Sequence, residues 1–231
     1  EELKSRIQPD DSTYPALDRG YFYYERFEEG LEYPIHCRRK GAPDAPEEII
    51  LDVNRVGQGH EFVSVRGPVV SPDSRLMAWS LDTVGRRKYT LRIKDLETGQ
   101  DLGDVIPEVT GNVVWANDNR TLFYAKQDPE TLRSYQIYRH VLGTRAEDDV
   151  LVYEEVDTTF SVSVWKTRSD KFVMIHAGQT LATETRFLDA DRPEGEFRVV
   201  APRERGVEYS VAHVGDRFII RTNLEAENFR L

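Results

Sequence analysis

The sequence predicts an all-β fold, a β-propeller made of four-stranded antiparallel blades, on three observations. Short strand-like runs are separated by turn signals along most of the chain, and little of it has a helical pattern. A segment in which an Asp-containing turn precedes a short apolar strand recurs, and its aspartates lie roughly 45–52 residues apart, the repeat length of a propeller blade. These aspartates, which we expect to cap the turns through bonds to the backbone, are Asp73, Asp118, Asp170 and Asp216.

The first predicted elements are an arm and a hairpin. Residues 1–19 are polar and contain two prolines, so we expect an extended N-terminal arm. Residues 20–27 and 31–39 are predicted strands joined by a Glu-Glu-Gly turn. Pro34 indicates that the second of these strands lies at an edge or is bulged, because proline has no amide hydrogen to donate. A further strand is predicted at residues 48–53.

Residues 20–231 are predicted to form an incomplete propeller domain of about four blades. The blade strands expected after the first hairpin lie at residues 67–71, 76–81, 89–94, around 102, 113–115, 121–125, 135–140, 149–153, 161–165, 172–176, 184–188, 197–200, 209–212, 218–221 and 228–231. One short helical turn is expected at residues 128–132. A blade buries its faces mainly against neighbouring blades, and a closed ring has about four to eight of them. We therefore expect the chain to be a piece of a longer polypeptide that ends inside a blade.

Composition narrows the classes of partner. The net charge of −10 disfavours nucleic acid and anionic membrane surfaces, and no apolar run is long enough to cross a bilayer. The first residues lack the basic start and apolar stretch of a secretory signal. The single cysteine, Cys37, has no partner for an internal disulfide, which favours a reducing compartment, so we expect a cytoplasmic protein.

Several long motifs are specific enough to compare with a known family. They are GYFYYERFEEGLEYPIHCRRKG at residues 20–41, LDVN at 51–54, GHEF at 59–62, DTVGRRKYTLR at 82–92 and DADRPEGEF at 189–197. All of them resemble the propeller domain of oligopeptidase B, in the prolyl oligopeptidase family of serine peptidases. The resemblance implies a seven-bladed propeller joined to an α/β-hydrolase domain with a Ser-Asp-His triad. It also implies cleavage of short peptides after Lys or Arg, with the propeller covering the active site and limiting substrate size.

The chain departs from that family in lacking the peptidase domain. No G-x-S-x-G motif, which exposes the nucleophile of an α/β-hydrolase, occurs in it. We therefore assign no catalytic residue, expect no cofactor, and expect the missing α/β-hydrolase domain and short basic peptides as partners. The alternative is a stand-alone propeller that acts as a binding scaffold for proteins or peptides, although the Trp-Asp dipeptides of WD-repeat scaffolds are absent.

The candidate site is a basic hairpin loop between two strands of one blade. Asp82, Arg86 and Arg87 are predicted to make interdomain or substrate-gating contacts, because Arg can pair with a carboxylate through two hydrogen bonds. The competing interpretation is a solvated hairpin with local pairing of Asp82 and arginine. No metal ligands are predicted, since the histidines lack metal-site spacing, and His140 and His176 are expected to be ordinary sheet residues.

Overall fold

Short antiparallel strands joined by tight turns make up the computed structural model, which describes Glu2 and residues 10–231. The strands are β1 (Ala16–Asp18), β2 (Tyr21–Arg26), β3 (Ile35–Lys40), β4 (Glu47–Asp52), β5 (Ser64–Val70), β6 (Leu76–Asp82), β7 (Tyr89–Asp95), β8 (Asp101–Trp115), β9 (Thr121–Gln127), β10 (Ser134–Val141), β11 (Val150–Glu154), β12 (Ser161–Lys166), β13 (Phe172–Gln179), β14 (Ala182–Asp189), β15 (Arg198–Ala201), β16 (Tyr209–Val214) and β17 (Arg217–Thr222). Helical structure over residues 10–231 is limited to α1 (Val53–Val56) and a 3-10 turn (Ala146–Asp148).

The strands form consecutive antiparallel blades, which confirms the predicted fold class. Blade 1 has the order β1-β2-β3-β4, and blade 4 has the order β12-β13-β14-β15. Blades 2 and 3 share one seven-stranded sheet, because the long strand β8 is the last strand of blade 2 and the first of blade 3. Strands β16 and β17 begin blade 5. Within residues 10–231 the sheets do not close into a ring, as expected for an incomplete propeller.

The inner strand of blade 1 lies within the predicted arm. Residues 1 and 3–9 of that arm are outside the described residues, but Ala16–Asp18 pairs with β2, with Leu17 opposite Phe22. Arg19 and Gly20 form the turn between the two strands, with φ of 45° and 80°. The sequence gives little sign of this strand because it is three residues long and wholly exposed.

Strand β8 is continuous where the sequence suggested two separate strands. Its ladder with β9 shifts register between Val109 and Val113, and Glu108 (φ 57°) and Gly111 (φ 83°) bend it there. The predicted helical turn at 128–132 is a single loop. The amide of Leu132 closes it by donating a hydrogen bond to the carbonyl of Asp128, at 3.0 Å. Helix α1 was not predicted; Asp52 caps it by accepting hydrogen bonds from two of its backbone amides.

The core lies mainly between the faces of adjacent blades. One cluster packs Phe123 and Ile137 of blade 3 against Val164 and Ile175 of blade 4. A second packs Met77 and Trp79 of blade 2 against Ile50 and Leu51 of blade 1, and a third joins blade 4 to β16 through Met174 and Tyr209. Stacking of blade against blade is the packing expected of a propeller, whose repeats contact mainly their neighbours.

The first strand of each blade lies at the channel. Asn112 in β8 binds the backbone of Val164 in β12 on both sides, with its amide nitrogen 2.9 Å from the carbonyl and its oxygen 2.7 Å from the amide. Trp115 donates its indole N–H to the carbonyl of Val69 in β5, at 2.9 Å. The first strands of blades 2, 3 and 4 therefore contact one another, as inner strands around a central channel do.

This topology gives the propeller two different faces. The turn face carries the connections between the first and second and between the third and fourth strands of each blade. The linker face carries the hairpins between the second and third strands and the linkers from one blade to the next. In the described blades these linkers and hairpins are residues 27–34, 53–63, 83–88, 107–112, 128–133, 155–160, 180–181 and 202–208, together with the residues that follow β17.

Candidate functional site

The predicted loop between β6 and β7 lies on the linker face and is built around Asp82. The buried carboxylate accepts hydrogen bonds from the backbone amides of Val84 (2.9 Å), Gly85 (3.1 Å) and Arg87 (2.8 Å). An Asp side chain that satisfies several amides in this way holds a loop in one shape. Over the described residues, Asp82 therefore binds the backbone of Arg87 and forms no ion pair with a guanidinium group.

The loop presents Arg86 and Arg87 to solvent. Both side chains are exposed, and within the described part of the chain neither guanidinium has an ion-pair or hydrogen-bond partner. The loop itself is fixed from two sides. The ring of Phe62 lies 3.6 Å from where a Cβ of Gly85 would be, and Gln127 of blade 3 donates its amide to the carbonyl of Arg87 at 2.7 Å. Two free guanidinium groups on a fixed loop are suited to binding carboxylates.

Among the loops, exposed large apolar side chains occur on this same face. Val156 is 81% exposed and Val84 is 72% exposed. Among the described residues, the loops of the turn face carry no exposed large apolar side chain, whereas the loops of the linker face carry Phe27, Leu31, Phe62, Val84, Val156, Leu181 and Leu224. Apolar surface bordered by polar groups is typical of a protein contact surface. The sequence pattern alone did not show this asymmetry, because it depends on which loops share a face.

An ion-pair network joins blades 3 and 4 on the linker face. Arg203 contacts the carboxylate of Glu155 at 2.5 Å, Tyr153 donates its hydroxyl to the same carboxylate at 2.7 Å, and the guanidinium lies 4.1 Å from the ring centre of Phe160. Burial favours the neutral acid, but the hydrogen bonds from Arg203 and Tyr153 outweigh it and lower the pKa of Glu155. The network borders a cavity of about 430 Å³ that is also lined by Leu181.

A second buried network, centred on His140, was not predicted. Its ring nitrogens lie 2.6 Å from Asp149 and 3.0 Å from Asp104, and Tyr124 donates its hydroxyl to the other oxygen of Asp149 at 2.8 Å. The His140 side chain is 1% exposed. Burial disfavours the imidazolium, but the hydrogen bonds from His140 to both carboxylates, together with their charges, raise its pKa. The two carboxylates come from β8 and from the loop before β11, so no local sequence motif indicates the network.

Other kinds of site are not evident in the described residues. Over Glu2 and residues 10–231, no group of three or more His, Cys, Asp or Glu side chains is arranged to hold a metal ion. His176, predicted to be an ordinary sheet residue, lies in β13, and burial lowers its pKa. No helix in this part of the chain is both long enough and apolar enough to span a membrane.

An arc of four-stranded antiparallel blades around a channel defines the chain as a β-propeller domain. The chain belongs to the prolyl oligopeptidase family: the family model described as "Prolyl oligopeptidase, N-terminal beta-propeller domain" matches residues 1–231.

Several curated relatives match over the whole chain, and two of them are described here. Dipeptidyl aminopeptidase BI of Pseudoxanthomonas mexicana is 44% identical over 100% of the chain, and Protease 2 of Moraxella lacunata is 33% identical over 100% of it. The match covers 34% of each relative, so the chain spans about a third of the length of the curated relatives it matches.

Solved structures give the same family. Oligopeptidase B from Leishmania major superposes with a TM-score of 0.90 at 34% identity, over 97% of this chain and 32% of that one. Oligopeptidase B from Trypanosoma brucei, solved in a closed form with covalently bound antipain, superposes with a TM-score of 0.88 at 30% identity, again over 97% and 32%. The predicted resemblance to oligopeptidase B is confirmed.

Proposed function

We propose that this propeller belongs to a longer protein whose serine peptidase domain is similar to that of oligopeptidase B. The propeller covers the active site of that domain and limits substrates to short peptides. The observation that carries the proposal is the asymmetry of the two faces: exposed large apolar side chains lie in the loops of the linker face. The relatives that match the whole chain are about three times longer, which provides room for such a domain. These comparisons do not favour the alternative of a stand-alone binding scaffold.

The topology supports docking on the linker face. In an antiparallel four-stranded blade the first strand starts, and the fourth strand ends, at the same face. Residues before β1 therefore enter the propeller at the linker face, and residues leaving a fourth strand emerge there. A domain connected to either end of the propeller is thus delivered to the face that carries the exposed apolar side chains and the basic loop.

In this proposal Arg86 and Arg87 bind carboxylates of the peptidase domain. Their guanidinium groups are exposed beside Val84, so polar and apolar contacts alternate within one loop. Polar contacts of this kind reform easily after separation, which suits an interface that opens to admit substrate. Oligopeptidase B from T. brucei was solved in a form described as closed, which fits an interface that also opens.

The reaction we propose is cleavage of short peptides after Lys or Arg. The name of the 44% identical relative favours a second candidate, the release of dipeptides from a free amino terminus. Steady-state assays of the full-length protein distinguish the two with matched substrates that differ only in whether the amino terminus is free or acetylated. Cleavage of an acetylated arginine substrate supports the endopeptidase, and cleavage only of free-amino dipeptide substrates supports the dipeptidyl aminopeptidase. Absence of both activities would contradict the proposed function.

The docking surface is tested in the full-length protein by replacing Arg86 and Arg87 together with Gln. We expect a change in KM for peptides and a weaker dependence of KM on salt, because the lost contacts are ionic. The matched control is Arg168→Gln, which removes an exposed arginine from a loop of the turn face. Equal effects of the double variant and the control would contradict a role of the loop in docking.

We also propose a reducing, cytoplasmic environment. Cys37 is 1% exposed, and burial, with the nearby charge of Glu47, raises the pKa of its thiol to about 11. A thiol of this kind is unreactive and needs no disulfide partner. Localisation of the tagged full-length protein by cell fractionation tests the proposal, and recovery outside the cytoplasm would contradict it.

A further inference from the structure

Side-chain contacts link neighbouring blades around the turn face. The oxygen of Asn119 in blade 3 accepts a hydrogen bond from the backbone amide of Asp73 in blade 2, at 2.9 Å. Asn117 of blade 3 donates to the carbonyl of Asp170 in blade 4, also at 2.9 Å. Each of these contacts joins blades that are adjacent in the arc.

One contact on the turn face joins blades that are not adjacent. The guanidinium of Arg19, in the turn between β1 and β2, donates to a carboxylate oxygen of Asp170, in the turn between β12 and β13, at 2.6 Å. Blades 2 and 3 lie between them along the chain. Both turns follow the first strand of their blade, so both lie beside the channel. The ion pair therefore crosses the interior of the arc at the turn-face end of the channel.

Asp170 is held in place to receive this arginine. It has a left-handed backbone (φ 58°), its amide donates to Thr167 at 2.9 Å, and Asn117 holds its carbonyl. The ammonium of Lys166 lies 3.7 Å from the same carboxylate oxygen. That ammonium is buried and has no hydrogen-bond partner in the described residues, so Asp170 is its nearest anionic neighbour there.

Arg19 is held in place as well. It sits in the two-residue turn with Gly20, and its second terminal nitrogen contacts Asp18 at 3.2 Å. The side chain is 27% exposed, and that of Asp170 is 44% exposed. The turn fixes the backbone of each residue, and each side chain has a second charged neighbour, Asp18 for Arg19 and Lys166 for Asp170.

We propose that the Arg19–Asp170 ion pair is a bar across the turn-face opening of the propeller channel. It holds blade 1 at a set distance from blade 4 and obstructs passage of a peptide chain through that opening. The consequence for substrates rests on the proposed function: peptides then reach the active site from the linker face, where the two domains separate, and Arg19 and Asp170 are residues that determine substrate access.

The distance between the blades is measured in the full-length protein by pulsed electron spin resonance. Spin labels are placed at Asp44→Cys in blade 1 and Glu194→Cys in blade 4, two exposed loop positions on the turn face. Cys37 is buried and should react little with the label, and accessible cysteines elsewhere in the full-length protein are replaced by Ser beforehand. We expect one narrow distance distribution, broadened about twofold or more by Arg19→Gln and, independently, by Asp170→Asn. Salt near 1 M reduces the Debye length to about 3 Å, so we expect it to broaden the distance distribution of the unsubstituted protein as well.

The matched control is Arg145→Gln. It removes an arginine from an exposed ion pair with Glu147 on the same face, within a single blade. We expect its distance distribution to equal that of the parent. If folded Arg19→Gln and Asp170→Asn give the same distance distribution as the parent, the proposed bar is wrong.

Access is tested separately with substrates of different length. In Arg19→Gln we expect kcat/KM for a short arginine ester within about twofold of the parent, and at least about threefold higher values for extended peptides of some thirty residues. Broadened distances with unchanged turnover of long peptides would overturn the role in access. Absence of any peptidase activity in the parent would contradict the proposed function instead, while the distances would still decide whether the bar exists.

Discussion

Replacing His140 by Ala is expected to destabilise the propeller by about 3–5 kcal/mol, the usual cost of removing one partner of a buried ion pair. His140 is 1% exposed, and the side chains of its partners Asp149 and Asp104 are 1% and 7% exposed. The substitution leaves two carboxylates buried together with no cation between them. Tyr124 continues to donate to Asp149, but its hydroxyl cannot neutralise a charge.

The assay is thermal unfolding of the full-length protein, with hydrogen exchange used to assign the transition to blades 2 and 3. For a domain of this size, a loss of about 3–5 kcal/mol corresponds to a decrease in Tm of roughly 6–20 °C. The control is Arg145→Ala, since Arg145 and Glu147 form an ion pair whose side chains are 78% and 72% exposed. Exposed pairs contribute little, so the control is expected to leave the melting temperature nearly unchanged.

The effect also has a defined pH dependence. The pKa of His140 is raised in the folded protein, because the hydrogen bonds from its ring to Asp149 and Asp104 outweigh its burial. A group with a raised folded pKa contributes stability that is complete below its unfolded pKa, about 6.5, and is lost as pH rises through the folded pKa. The difference in stability between the parent and His140→Gln should therefore shrink as pH is raised from 6. The reasoning is refuted if His140→Ala melts no earlier than the control, or if the difference grows with pH.

Three other substitutions or treatments test separate parts of the structure. Asn112→Ala should cost about 1–3 kcal/mol for each of the two Val164 backbone groups left unpaired. An unchanged denaturation midpoint would contradict the contribution of this side-chain contact between β8 and β12. The pKa of Glu155 is lowered in the folded protein, so its contribution to stability is present above about pH 4.3 and is lost as pH falls through the folded pKa. The Tm of Glu155→Gln should therefore depend less on pH in the acid range than the Tm of the parent. Equal pH dependence of the two Tm values would count against the Arg203 network. Cys37 should resist iodoacetamide at pH 8 in the native protein and react after denaturation, because burial raises the pKa of its thiol to about 11. Rapid labelling of the native protein would contradict the burial of Cys37.

The blade strands were predictable because their signals are local. Two of the four repeated aspartates cap their turns as expected: Asp73 accepts the amide of Arg75 at 3.1 Å, and Asp118 accepts the amide of Thr121 at 2.8 Å. Turn chemistry of this kind involves residues only a few positions apart, so the sequence shows it directly.

Asp170 shows where that reasoning fails. It occupies the same place in the repeat as the capping aspartates, but its carboxylate binds Arg19, 151 residues away. Asp216 also differs, since its carboxylate lies 3.6 Å from the exposed guanidinium of Arg217. A repeat predicts the position of a turn. The group that binds the aspartate side chain in that turn depends on which other residues the fold brings near it.

The candidate site was predictable only in part. Asp82, Arg86 and Arg87 do share one loop, but the structural role of Asp82 depends on loop backbone geometry that the residue types alone do not determine. Whether the two arginines contact another domain stays a prediction. The apolar linker face and the His140 network escaped detection because their members are scattered along the chain and meet only after the blades form.

The central claim is that this propeller works with a peptidase domain of the same protein, and one measurement tests it most directly. The intact mass of the full-length gene product is determined, and the same sample is assayed for hydrolysis of a benzoyl-arginine ester. We predict a product roughly three times the length of this chain, as the 34% coverage of its relatives indicates, with arginine-ester hydrolysis that a serine-directed inhibitor abolishes. A folded product that ends at Leu231 and is inert toward every peptide and ester tested would contradict the account.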